Sequence, residues 1–449
     1  MLQKHSILYA AAKKYLGLWA LVATAIPAWL VGTAAWAADE VFVSRVSPIT
    51  LPMGKKIQAF DISFDDPVIE LYILADRTNA AVQAVQTDTD TLLTPYTATP
   101  PFAGAVTQNG VANNNLSGPD GVITVGHREI WAGDGPQNTG GTNPMPIPGT
   151  STVKVIDLLS GQTTHVINTK GTFRADELCL DPRDNLVLVA NDAEQPFPYV
   201  SLISTNSYSL LQQITFDGTI PSGSKIAAPK ATNGIEQCQW DARTARFYLN
   251  IPEVNGPGDD TAPGAVVVLK VTSPGMIAID KIFNIDHNKC AGPQGMAIGP
   301  DHQILLGCNA PSGKTASSPN GNGNFSTVII DDRNGKIIAT LNDESGADEV
   351  WYNDGDGQYF LARSGAPLTQ QLGVIDVKGD PSRLDQSVFI GTAGAAGNHS
   401  VAADPIFNQV YVPIASTSGA SATYCGGTNG CIAIFTTTPG NDDPGIPAP

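Results

Sequence analysis

Seven residues, Asp61, Asp120, Glu177, Glu236, Gln294, Glu349 and His399, recur along the chain at separations of 59, 57, 59, 58, 55 and 50 residues. Most of them are acidic, and Asp176, Asp348, Asn233 and Asn398 stand beside or near them as further oxygen donors. Carboxylates gathered in a restricted space repel each other unless they are solvated, protonated or neutralised by a cation. A hard divalent ion such as calcium takes about six to eight oxygen ligands. Glu177, Glu236 and Glu349, with Asp61 and Asp120, are therefore the candidate metal ligands. Such an ion would polarise a carbonyl or activate water, with His399 or Glu349 moving protons and Asn233, Gln294 and Asn398 contacting substrate. The competing reading is a wide, water-filled channel of independent carboxylates, with His399 a hydrogen-bonded structural residue.

For residues so far apart to meet, a repeated element must carry them. Each anchor opens the same phrase: a polar residue, a short apolar strand, a tight turn begun by Asp or Gly, then a second strand rich in Val, Leu and Tyr. The best copies are Asp176-Glu-Leu-Cys-Leu-Asp181-Pro-Arg-Asp-Asn185-Leu-Val-Leu-Val-Ala-Asn191 and Ser400-Val-Ala-Ala-Asp404-Pro-Ile-Phe-Asn408-Gln-Val-Tyr-Val412. A second hairpin follows, with Ser160-Gly161 after Val153-Lys-Val-Ile-Asp157 and Asn334-Gly335 after Thr327-Val-Ile-Ile330. Ser-Gly and Asn-Gly between β-branched runs are hairpin signals. Four strands per period of about 50–60 residues is the signature of propeller blades. The expectation is an all-β, seven-bladed β-propeller of four-stranded antiparallel blades over residues 38–438. The last blade runs out of chain after Cys431-Ile-Ala-Ile-Phe435, and Val41-Phe-Val-Ser-Arg45 is expected to supply its outer strand and close the ring. Blade alignment is free by one residue, so Asp176 or Glu177, Asp348 or Glu349, and Asn398 or His399 faces the axis.

Composition agrees. The 449 residues include 45 Gly and 33 Pro, with only 15% charged, which suits short strands and turns rather than long amphipathic helices. The formal charge is −17, which disfavours a nucleic-acid partner, since phosphate binding needs clustered Lys and Arg. Residues 1–37 read as a secretory signal: Lys4, Lys13 and Lys14 in a basic leader, an apolar run from Leu16 to Trp36, and Ala35-Trp36-Ala37 as the cleavage site. An uncleaved anchor is the rival, against which Pro27 interrupts the run. The mature chain is expected to be exported, periplasmic or extracellular, with no later membrane span, and residues 439–449 to form a flexible Pro/Gly-rich tail. The oligomeric state is left open.

The phrases from Asp181 to Asn191 and from Asp404 to Val412, with Val153-Lys-Val-Ile-Asp-Leu-Leu-Ser-Gly, resemble the repeats of the Tyr-Val-Thr-Asn and lactonase-like propellers. More distantly, the arrangement resembles the senescence-marker/gluconolactonase family. That resemblance covers nearly all of the mature chain as repeats, and its motifs specify blades and turns. Gluconolactonase-type enzymes place a Glu, an Asn and an Asp around a divalent metal at the channel. Glu177, Glu236 and Glu349 occupy comparable blade positions, but that ligand set does not match residue by residue, so fold transfers more safely than activity.

The second strand of each blade returns to the anchor face, and the long irregular segments 133–150, 191–198, 253–264, 311–324 and 416–430 follow it there. Long loops on one face of a rigid scaffold are where binding sites are elaborated, so a small-molecule ligand or substrate is expected at that face. Independent drift of surface loops is the bland alternative. Two functions follow: an exported metal-dependent lactone or ester hydrolase, or a non-catalytic binding or surface protein. Six cysteines in an exported chain read as disulfides. Cys425 pairs naturally with Cys431, and Cys290 with Cys308 across one inner hairpin. Cys179 and Cys238 hold equivalent places in adjacent blades, where rotation turns one side chain away from the other, so their pairing is left open. The phosphate-loop-like run from Gly307 to Thr315 is one residue too long and no helix pattern follows it, and Asp354-Gly-Asp-Gly357 reads as turn chemistry rather than part of a calcium loop.

Overall fold

The computed structural model describes residues 42–45, 48–309, 326–342, 346–363, 371–377, 386–389, 399–417 and 420–438. The leader, the tail, loop 311–324 and Asn398 lie outside them. The described residues form seven four-stranded antiparallel sheets, the blades of a β-propeller. Their inner strands are Ser63–Asp66, Val122–Val125, Leu178–Asp181, Cys238–Asp241, Pro293–Ile298, Ala347–Asn353 and Ala402–Asp404. Each neighbours the next around the ring, and the last neighbours the first. Every anchor falls within three residues of the start of one of these strands.

The repeated phrase folds as it does for local reasons. The Asp that ends the inner strand caps the following turn: Asp181 accepts N–H bonds from Arg183 at 2.9 Å and Asp184 at 3.1 Å, and Asp404 accepts those of Ile406 and Phe407. Asn185 and Asn408 close these turns at φ 57° and 51°, a left-handed conformation that Asn tolerates through its short polar side chain. In the outer hairpins Gly161 and Gly335 take φ 68° and 71°, where glycine carries no Cβ penalty.

Packing between blades makes the core. Strands such as Leu71–Asp76 and Leu186–Asn191 are buried at every position, because each face of a blade meets a different neighbour. The apolar residues accordingly gather into clusters that each span two adjacent blades, such as Leu188, Val200 and Ile214 with Phe247, Leu249 and Val267 between the third and fourth. Ring closure follows the expected route. Phe42–Arg45 pairs antiparallel with Cys431–Thr438, Phe42 opposite Thr438 and Arg45 opposite Phe435, which covers the edge that the last blade would otherwise expose.

All three disulfides form. Cys290–Cys308 and Cys425–Cys431 join the expected partners. Cys179 and Cys238 also pair, with Cα atoms 5.8 Å apart. The rotational argument against this bridge fails because neighbouring inner strands converge at the axis, bringing the backbones within disulfide reach.

Candidate functional site

The anchor face does gather acidic side chains, but arginines come with them. Arg77, immediately after Leu71–Asp76, is 2% exposed and bonds both Asp61 and Asp120. Arg174, three residues before the third anchor, contacts Asp176 at 2.6 Å and Asp192 at 3.0 Å. Blades 2 and 3 approach closely here: a Cβ on Gly121 would stand 2.1 Å from the Asp176 carbonyl oxygen.

Charge is divided unevenly within this network. Burial works to raise Asp61, yet Arg77, then Arg174 and His399, hold it below its ordinary value. In Asp120 and Asp176 burial outweighs the arginines, and both are pushed well above the usual carboxylate range. A side-chain hydrogen bond with Asp176 adds to the lowering of Asp61. His399 stacks on Phe60, with ring centroids 5.3 Å apart, and its Nε2 lies 3.1 Å from the Phe60 carbonyl. Its Nδ1 faces Asp348 at 3.2 Å and Asp61 at 3.7 Å. Burial disfavours the imidazolium, but the Asp348 hydrogen bond and the charges of Asp61 and Asp348 prevail and raise the His399 pKa.

The expected metal set does not assemble. Among the described residues no group of three or more His, Cys, Asp or Glu side chains could hold a metal ion. Asp61 and Asp120 are engaged by Arg77, whose guanidinium supplies the positive charge assigned to calcium. Glu349 accepts hydrogen bonds through Oε2 from Ser400 Oγ at 2.7 Å and Val401 N at 3.2 Å. Glu236 is half-buried, and it is its neighbour Gln237 that turns inward, accepting the Met296 N–H. Asn233 donates to Asp260 at 2.8 Å, and the Gln294 carbonyl accepts from Asn250 at 2.7 Å. Asp61, Asp120 and Glu349 thus have protein partners, as does Asn233 among the expected substrate contacts.

Glu177 and Glu349 instead look into a cavity of about 360 Å³ along the central channel. Its walls are mostly apolar, from Ile62 and Phe64 through Val122, Leu178 and Ile298 to Trp240 and Trp351, and it extends to the exposed Pro182 at the inner-hairpin turns. No described residue of the long loops lines it. Glu177 is 7% exposed. Burial, then the charges of Glu349, Asp61, Glu236 and Asp348, push Glu177 well above its ordinary value. Burial also raises Glu349 well above its own, against the bonds from Ser400 and Val401. Glu236 is raised by burial, Asp348 and Asp192 in spite of Arg174. Two carboxyls whose charged forms burial disfavours thus border the apolar space.

Arg77, Arg174, Asp192, Gln237 and the two tryptophans were not among the sequence candidates. A signal for Arg77 and Asp192 existed: both directly follow second strands, which return to the anchor level. Trp240 and Trp351 lie on inner strands, where alternation alone does not separate a channel wall from a blade interface.

No family model matches the chain, and no curated protein matches it. Solved structures do. A hydrazine synthase of Kuenenia stuttgartiensis is 12% identical with a TM-score of 0.56, covering 88% of this chain and 100% of its own. The RRP9 WD40 repeats are 8% identical with a TM-score of 0.56, over 88% and 100%. The Neurospora crassa Pan2 WD40 domain is 9% identical with a TM-score of 0.54, over 89% and 96%. At such identities the likeness is one of fold alone: this chain is a seven-bladed, disulfide-bonded β-propeller.

Proposed function

We propose that this chain is an exported propeller that binds a small molecule inside its central channel, a non-catalytic role related at the level of its repeats to the Tyr-Val-Thr-Asn and lactonase-like propellers. The observation that carries this reading is the cavity of about 360 Å³ that Glu177 and Glu349 line together with largely apolar side chains. It falls within the range of small-molecule sites, about 300–1,000 Å³, and has their make-up of apolar walls with a few convergent polar groups. Three disulfides suit an oxidising compartment, in keeping with the leader. Metal-dependent hydrolysis of a lactone or ester is disfavoured, because among the described residues no group of three or more His, Cys, Asp or Glu side chains could hold a metal ion, and Arg77 already holds Asp61 and Asp120.

The test uses the mature protein, dialysed against chelator and then screened with small aromatic compounds of each charge type and with a lactone and ester panel. Saturable changes in tryptophan fluorescence with a rising melting temperature, unaffected by chelator, are expected. Hydrolysis that chelator abolishes and calcium restores would replace this reading with the hydrolase one.

A further inference from the structure

Resting on the channel-binding reading above, we propose that the cavity takes an organic cation, an amine or quaternary ammonium head set against Glu177 and Glu349 with an apolar body along Trp240, Trp351 and Phe64. Among the described residues no Lys, Arg or His lines this space. The nearby arginines are committed to Asp61, Asp120, Asp176 and Asp192. Among the described residues the Glu177 carboxyl has no hydrogen-bond partner although it is more than nine-tenths buried. Glu349 Oε1 is likewise buried without one. Both groups line the cavity.

Each ligand charge type meets these groups differently. An anion would be repelled by Glu177 and Glu349 once ionised, and by Asp61, Asp348 and Glu236 around them. An uncharged ligand would leave the unfavourable gathering of carboxyls as it is. A cation relieves it, because an opposite charge favours the ionised form that burial and the neighbouring carboxylates disfavour in Glu177 and Glu349. A bare metal ion finds too few oxygens, since the remaining walls are largely apolar. An alkylammonium needs fewer, and aromatic faces attract it in addition. Phe64 and Trp351 meet edge to face at 5.6 Å, and both line the cavity with Trp240.

Benzyltrimethylammonium, its uncharged isostere neopentylbenzene, phenylacetate and calcium chloride would each be titrated into the full mature protein, by calorimetry and tryptophan fluorescence. The expected result is that benzyltrimethylammonium binds at least tenfold more tightly than neopentylbenzene, and phenylacetate does not bind. Cation binding should release protons, seen as a dependence of the heat on buffer ionisation. Glu177→Gln should weaken the cation at least tenfold and leave neopentylbenzene unchanged, which also shows that the variant is folded; Glu349→Gln provides a second arm. Equal affinity for the cation and its isostere would overturn the charge assignment while leaving the channel reading intact. Competitive displacement of the cation by calcium would overturn it in favour of a metal site. Binding of neither aromatic probe would remove the channel reading and this inference together.

Discussion

Arg77 and Asp120 are joined twice, Nε to Oδ1 at 2.8 Å and Nη2 to the same oxygen at 2.5 Å, although one belongs to blade 1 and the other leads into blade 2. Both are almost fully buried, and Arg77 also holds Asp61. Removing one partner of a buried pair leaves an uncompensated charge, which costs about 3–5 kcal/mol. Arg77→Met is therefore expected to lower stability by roughly that amount in urea unfolding at neutral pH. Adding Asp61→Asn to that variant should recover part of the loss, because the orphaned carboxylate is then gone. A single variant within about 0.5 kcal/mol of the parent, as for an ordinary surface change, would show that water reaches this network.

The Cys179–Cys238 bridge ties the third blade to the fourth across 59 residues of sequence. A crosslink closing a loop of that size stabilises by about 2–4 kcal/mol, mainly through the unfolded chain. Replacing both cysteines by Ala should lower the denaturation midpoint accordingly. Peptide mapping without reduction should recover the two residues in one linked fragment, and recovery of free thiols at both would contradict the pairing.

Phe42–Arg45 supplies the outer strand of the last blade. Deleting residues 40–46 should lower the melting temperature out of proportion to the length removed, because it leaves Cys431–Thr438 as an open edge and unclasps the ring. An unchanged melting temperature would mean that the blade holds without it.

Asp65 lies buried on the first inner strand with neither carboxylate oxygen hydrogen-bonded. Burial, then Asp404 and Asp66, raise its pKa from 3.8 to about 9; Tyr72 stands opposite it across the strand pair. A carboxyl raised in the folded state binds its proton more tightly there than when unfolded. Its stabilising effect is complete below the unfolded pKa and is lost as pH rises through about 9. Asp65→Asn keeps the neutral shape and has no proton to take up on folding. At pH 8 it should therefore be more stable than the parent by at least about 2 kcal/mol, since each tenfold fall in proton concentration above the unfolded pKa costs the parent about 1.4 kcal/mol. Near pH 4 the two should nearly coincide. Parallel stability curves for parent and variant between those limits would contradict a protonated Asp65.

The blades were legible in the sequence because their determinants are local. Asp181 caps its own turn, Asn185 adopts the left-handed conformation that closes it, and the same arrangement recurs from Asp404 to Asn408. Such short-range preferences repeat with the period, so the number of blades, the anchor level and the closing strand could all be counted from spacing. Which charges cancel could not. Arg77 meets Asp120 only because two blades pack side by side, and Cys179 reaches Cys238 only because inner strands converge at the axis. Nothing in the periodicity distinguishes Glu177, which faces the cavity, from Asp176, which faces Arg174. The two are adjacent in the chain, and the opposite directions of their side chains become meaningful only once seven strands surround a common axis. Residue type and spacing determined that acid would collect at one level of the ring; the tertiary structure alone decided where arginine neutralises it and where it stands over an apolar space, because Coulomb and burial energies depend on distances that the chain order does not set.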